Sequence, residues 1–204
     1  MPLGIEMQGF FADQMIIMMR KDWTVAEGHI AKAGSLVAVK VADLLSGNPA
    51  NRLTVIYAPD AKSSISQVSI GRERIFLSTL RDVTGQLMAA IPSGDGWSLG
   101  KLDMPANGTV SITSVDDESD SLFVDYANFL QPSTLYHING KSLPEAIKAL
   151  PARFDASGMM VEQKFTTSHD GTMVPYFVIR AKDTKMDAST PTVLYGYGGF
   201  EISM

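Results

Sequence analysis

Cysteine is missing from this chain: none occurs among its 204 residues. Its absence excludes disulfide bonds, catalysis by a thiolate and zinc sites built on cysteine. It fits a cytoplasmic protein and leaves the periplasm open as an alternative. We expect the cytoplasm.

Long apolar runs and blocks of like charge are missing as well. The apolar stretch from Met15 to Met19 is too short for a membrane span or a signal-peptide core, and we predict a strand there. The formal net charge is −5. Because nucleic acids and anionic membranes select a basic face, we expect neither as a partner.

Histidine is scarce, and the spacing of His29, His137 and His169 does not suit a metal site. We interpret His29 and His169 as surface residues and His137 as a structural residue on a strand. The acidic run Asp116–Asp120 lacks the spacing and the glycine of a calcium loop, so we interpret it as a solvated turn. We expect no metal and no cofactor.

What the sequence does contain is a repeat of about 50 residues. Each copy has an apolar strand, a polar turn and a second strand, and the second strands begin near Gly34, Gly85 and Ser133. The first copy carries an insertion, Thr24 to Ala33. This period and strand content are typical of propeller blades with four strands each, although a β-sandwich with evenly spaced strands would share them.

Only about three such units fit before residue 150. A closed propeller usually has about four to eight blades, and three would leave open sheet edges. We therefore expect the chain to be part of a longer protein.

The pattern changes after residue 140. Leu143–Leu150 is predicted to form a short helical turn, and a domain boundary is predicted near residue 155. Two strands, at 160–168 and 174–180, flank an Asp-Gly turn that is typical of a tight hairpin. A further strand is predicted from Thr192 to Tyr195, directly before a glycine cluster.

The stretch Tyr195-Gly-Tyr-Gly-Gly-Phe200 resembles a motif of the prolyl oligopeptidase family of serine peptidases. The approach to it, Ser168-His-Asp-Gly-Thr172, is similar to the start of that family's hydrolase domain. Further back, Asn128 to Tyr136 resembles the end of its last propeller blade. The resemblance is strongest from about residue 120 to the end of the chain.

The resemblance implies a mostly β fold, in which part of a seven-bladed propeller is followed by the first strands of an α/β-hydrolase domain. Residues 1–155 would hold about three blades and residues 156–204 the hydrolase strands. The substrates would be short peptides cleaved after proline, and the partner would be the rest of the same propeller and hydrolase domain.

The resemblance also implies residue roles. Tyr197 would donate a hydrogen bond to the oxyanion of the tetrahedral intermediate. Phe200 would line the pocket for the proline ring, and Gly198 and Gly199 would allow the turn beside the substrate. The oligopeptidase B branch, which prefers basic residues, is expected to have serine and tyrosine in place of Gly199 and Phe200.

The catalytic serine of this fold lies in a G-x-S-x-G turn, followed in the chain by Asp and His. We expect no such motif in the chain and all three residues beyond Met204, so that the chain alone would be inactive. Alternatives are a non-catalytic propeller that binds a partner, a pseudogene remnant, or an acyl-peptide hydrolase or esterase relative.

Overall fold

The fold is a series of antiparallel sheets. The computed structural model describes residues 4–24, 30–46, 53–140 and 142–196. These residues contain three four-stranded sheets, and in each sheet the strands are adjacent in chain order. The propeller-like fold expected from the 50-residue period is confirmed.

Sheet 1 has an insertion between its second and third strands. Its four strands are β1 (Ile5–Phe11), β2 (Gln14–Met19), β5 (Leu36–Lys40) and β6 (Thr54–Tyr57). The insertion contains a small separate hairpin, β3 (Trp23–Thr24) with β4 (Ile30–Ala31). A five-residue helix, α1 (Val41–Leu45), connects β5 to β6. The strand predicted at Met15–Met19 is therefore present as β2.

Sheets 2 and 3 are more regular. Sheet 2 consists of β7 (Ser63–Ile70), β8 (Ile75–Arg81), β9 (Thr84–Ser93) and β10 (Gly96–Leu102). Sheet 3 consists of β11 (Gly108–Val115), β12 (Ser121–Asn128), β13 (Thr134–Asn139) and β14 (Glu145–Ala149). The three repeats found in the sequence coincide with β5, β9 and β13, the third strand of each sheet.

Strand β14 replaces the helical turn predicted at Leu143–Leu150. It pairs antiparallel with β13, joining Ala149 to Thr134 and Glu145 to His137. All five of its residues are exposed, so burial of an apolar face does not decide its conformation. The unpaired edge of β13 does, because its N–H and C=O groups need partners. The helix prediction was wrong for this reason.

The sheets pack face to face in chain order. Strand β7 contacts both β1 and β11, so the first strands of neighbouring sheets lie together as they do around a propeller axis. Between sheets 1 and 2, the buried core consists of Phe11, Ile16, Leu36, Ala38, Ile56, Ile75, Leu77 and Ala90. Between sheets 2 and 3, it consists of Phe76, Leu87, Ala89, Val110, Ile112, Leu122, Val124, Tyr126 and Ile138.

The insertion of sheet 1 covers the face that points away from sheet 2. Alternate residues of β2, Met15, Ile17 and Met19, are buried there with Ala31 of the small hairpin. Trp23 packs against the same cluster, while Trp97 of β10 packs edge-to-face on Phe11 with ring centroids 5.2 Å apart. Both tryptophans thus fill space beside the sheets.

A separate hairpin follows sheet 3. Its strands are β15 (Met159–Thr167) and β16 (Met173–Ala181), paired in register along their whole length. The turn lies at residues 168–172, where the N–H of Gly171 donates to the carbonyl of Ser168. This hairpin matches the predicted strands and turn to within about one residue.

Candidate functional site

The glycine-rich motif is described only up to Gly196. Residues 191–196 form no regular secondary structure, and the side chains of Val193, Leu194 and Tyr195 are 92%, 96% and 74% exposed. The strand predicted from Thr192 to Tyr195 is therefore not formed, because none of the described strands pairs with it. The predicted site residues Tyr197, Gly198, Gly199 and Phe200 lie outside the described residues.

One stretch of the chain does have the letters G-x-S-x-G, at Gly96-Trp-Ser-Leu-Gly100, contrary to the expectation that none occurs. It lies within β10, where Ser98 pairs with Ile91 of β9 and is exposed. A nucleophile of the hydrolase fold needs a sharp turn from a strand into a helix. Ser98 is in a continuous antiparallel ladder, so it does not fit that role.

Of the two histidines in the described part of the chain, His137 packs within a sheet and His169 lies on the surface. The Nε2 atom of His137 lies 2.8 Å from the hydroxyl of Ser121, and its ring lies 5.0 Å from the ring of Phe123. His169 is exposed in the β15–β16 turn. These positions agree with the interpretation from sequence, while His29 lies outside the described residues.

The acidic run 116–120 is a turn held by its own side chains. Hydrogen bonds from the hydroxyl of Ser119 and the N–H of Glu118 keep the pKa of Asp116 below its ordinary value. In the described part of the chain, no group of three or more His, Asp or Glu side chains is placed to hold a metal ion.

Asp120 does not fit the solvated turn predicted for it, because its carboxylate is buried. One oxygen lies 3.1 Å from Nε of Arg74, and the other accepts the N–H of Glu73 at 2.9 Å. Arg74 also donates to the carbonyl of Gly140 at 3.3 Å. The ion pair therefore ties one turn of sheet 2 to two turns of sheet 3. Nothing in the sequence distinguishes Asp120 from the other acidic residues of this run as the one that points inward.

The β15–β16 hairpin touches sheets 2 and 3 at the opposite end from that ion pair. The ring of Phe177 lies 5.2 Å from that of Phe129, in the β12–β13 connection. The amide of Gln163 donates to the carbonyl of Asp82 in the β8–β9 turn. The Lys62 ammonium lies 5.9 Å from the centre of the Phe165 ring. These contacts hold the hairpin against the loops at this end of sheets 2 and 3.

A mostly apolar cavity of about 240 Å³ lies beside this contact. Its lining includes Val83, Ala127, Phe129 and Phe177. A second cavity, of about 250 Å³, is more polar and is lined in part by Arg81, Lys101 and Gln163.

Among the described residues, none lies in a helix long and apolar enough to cross a bilayer.

Comparison with known proteins places this arrangement in a family. Residues 7–147 match the family model for the prolyl oligopeptidase N-terminal β-propeller domain. An uncharacterized peptidase of Sinorhizobium fredii is 38% identical over 205 aligned residues, which cover 100% of this chain and 28% of that protein. A second uncharacterized peptidase, from Rickettsia prowazekii, is 31% identical over 99% of this chain and 28% of its own length.

A solved structure agrees with these relatives. The post-proline cleaving enzyme from Rickettsia typhi superimposes with a TM-score of 0.73 at 28% identity, covering 91% of this chain and 27% of that one. The chain thus spans little more than a quarter of the length of the proteins it matches. The chain belongs to the prolyl oligopeptidase family, and its residues 7–147 correspond to that family's N-terminal β-propeller domain.

Proposed function

We propose that this chain is part of a serine peptidase that cleaves short peptides after proline. The observation that carries the proposal is the set of packed four-stranded sheets whose sequence matches the family's propeller over residues 7–147. The similarity to a post-proline cleaving enzyme supports the choice of substrate class.

In this proposal, residues 1–155 supply about three blades of a larger propeller, and residues 156–204 begin an α/β-hydrolase domain. The partners are proline-containing peptides and the remainder of the same propeller and hydrolase domain. The Ser-Asp-His triad belongs to that remainder, so the 204-residue chain alone does not hydrolyse peptides.

Tyr197 carries the catalytic part of the proposal. Negative charge develops on the carbonyl oxygen of the scissile bond, and a positioned phenol O–H stabilises it more than it stabilises the substrate. Phe200 gives the proline ring an apolar wall, and Gly198 and Gly199 let the backbone approach the substrate.

The test is Tyr197→Phe in the protein encoded by the complete reading frame, assayed with a chromogenic Gly-Pro substrate. Loss of one oxyanion donor should lower kcat by about 10²-fold or more, with a smaller change in KM. Tyr195→Phe is the matched control, since it removes a hydroxyl two residues away. Equal kcat values for Tyr197→Phe and the unaltered enzyme would contradict the oxyanion role.

A further inference from the structure

The β8–β9 turn has an unusual backbone. Arg81 pairs with Thr84, so only Asp82 and Val83 form the turn, and their φ angles are +46° and +61°. Two-residue hairpins of this type require positive φ at both positions and normally use Asn, Asp or Gly. Asp82 fits this rule, but a β-branched residue such as Val83 is strained in the left-handed region.

The location of Val83 accounts for valine at this position of the turn. It lines the 240 Å³ apolar cavity together with Phe129 of sheet 3 and Phe177 of the β15–β16 hairpin. Glycine or asparagine would suit the backbone better but would add no apolar side chain to the cavity wall. Valine therefore suits the apolar cavity beside the hairpin better than it suits the turn.

One pair of facing residues on the hairpin lies at this turn. Gln163 and Phe177 lie directly opposite each other on β15 and β16, and in a sheet such residues point to the same face. Gln163 donates to the Asp82 carbonyl, and Phe177 reaches the cavity beside Val83. One rung of the hairpin therefore hydrogen-bonds to Asp82 and lines a cavity together with Val83.

Lys62 interacts with both the turn and the hairpin. Its carbonyl accepts the N–H of Asp82 at 2.9 Å, and its ammonium lies over the ring of Phe165, two residues from Gln163. Both polar groups of the Asp82 backbone are thus engaged, one by the start of sheet 2 and the other by the hairpin.

We propose that the Asp82–Val83 turn is a latch that seats the β15–β16 hairpin on the ends of sheets 2 and 3. The left-handed turn presents the Asp82 carbonyl and the Val83 side chain to the Gln163–Phe177 rung. Because the hairpin binds the turn in this conformation, we expect docking of the hairpin and protection of the turn to be coupled, and the coupling to act in both directions.

The test is hydrogen exchange measured by mass spectrometry on the protein encoded by the complete reading frame. Gln163→Ala should raise the exchange rate of β15–β16 peptides by about fivefold, the factor expected for one ordinary hydrogen bond. Because the coupling is reciprocal, peptides that cover residues 81–84 should exchange faster too. Lys164→Ala is the matched control, since the next side chain on the strand points to the other face.

Val83→Asn separates the latch from a plain connection. Asparagine readily adopts positive φ, so the midpoint of thermal unfolding should be unchanged or higher. The hairpin should nevertheless exchange faster, because the cavity beside it loses an apolar side chain. Far-UV circular dichroism checks that each variant is folded. Hairpin exchange that is unaltered in both Gln163→Ala and Val83→Asn, or equally raised in Lys164→Ala, would overturn the proposal.

Discussion

The pair formed by Arg74 and Asp120 is the most deeply buried ion pair of the described residues, with side chains 10% and 5% exposed. A buried pair does not by itself add much stability, because both charges lose their hydration. Removing one partner is different, because the remaining charge stays buried without compensation. This pair therefore matters more as a constraint on how sheets 2 and 3 meet than as a source of free energy.

Asp120→Asn tests that constraint. Asparagine tolerates the positive φ of this residue, +60°, so the change removes the charge and leaves the backbone acceptable. The free energy of unfolding should fall by about 3 kcal/mol in urea titrations, because Arg74 is left unpaired.

The control is Glu6→Ala, which breaks the exposed ion pair with Arg20 and should change the unfolding midpoint little. Equal stability of Asp120→Asn and the unaltered chain would show that the Arg74 charge is solvated and not buried.

Asp116 gives a prediction for pH. Its pKa is lowered from 3.8 by the hydroxyl of Ser119 and the N–H of Glu118. A carboxyl whose pKa is lower in the folded state stabilises the fold above its unfolded pKa, and loses that effect as the pH falls through the folded value. Asp116→Asn should thus lower the thermal midpoint at neutral pH, and the difference should shrink below about pH 4. A difference that is constant down to pH 2 would contradict the assignment.

Gly85 shows how closely two sheets approach each other. A Cβ atom at this position in β9 would lie 2.6 Å from the nitrogen of Val110 and 2.9 Å from the carbonyl oxygen of Gly108. Both are backbone atoms of sheet 3, which cannot rotate away as a side chain can. Gly85 therefore lets sheets 2 and 3 meet near the β8–β9 turn.

Gly85→Ala should lower the free energy of unfolding by about 1–3 kcal/mol, the range for overpacking a core, as measured in urea. Gly100→Ala is the matched control, because no atom lies within 4 Å of a Cβ built there, on the neighbouring strand β10. If the two variants had the same midpoint, the close approach of the sheets would be in error.

Elements whose conformation depends on a neighbour were the ones that the sequence could not predict. Strand β14 has the letters of a short helix, and it is a strand because β13 offers an open edge. Residues 192–195 have the letters of a buried strand, and with no partner among the described strands they are exposed coil. A neighbouring strand also decides the role of Ser98. Its pairing with β9 keeps it in a continuous strand, where it does not have the strand-to-helix turn that a nucleophile needs.

At the scale of the whole molecule, prediction from sequence went further. A blade places its apolar strands at the same positions in every repeat, so the 50-residue period located one equivalent strand in each copy, and the structure shows this strand to be the third of its sheet. The burial of Asp120 could not be predicted in this way, because it depends on Arg74, 46 residues away on another sheet. The site residues Tyr197 and Phe200 stay predictions from the family resemblance.

The central claim is that these sheets belong to a peptidase whose catalytic serine lies further along the chain. The most direct test is to sequence the gene beyond the codon for Met204. We predict an open frame that encodes a G-x-S-x-G motif between a strand and a helix, followed by Asp and then His. A stop codon directly after Met204 would contradict it, and the chain would then be a propeller without a hydrolase.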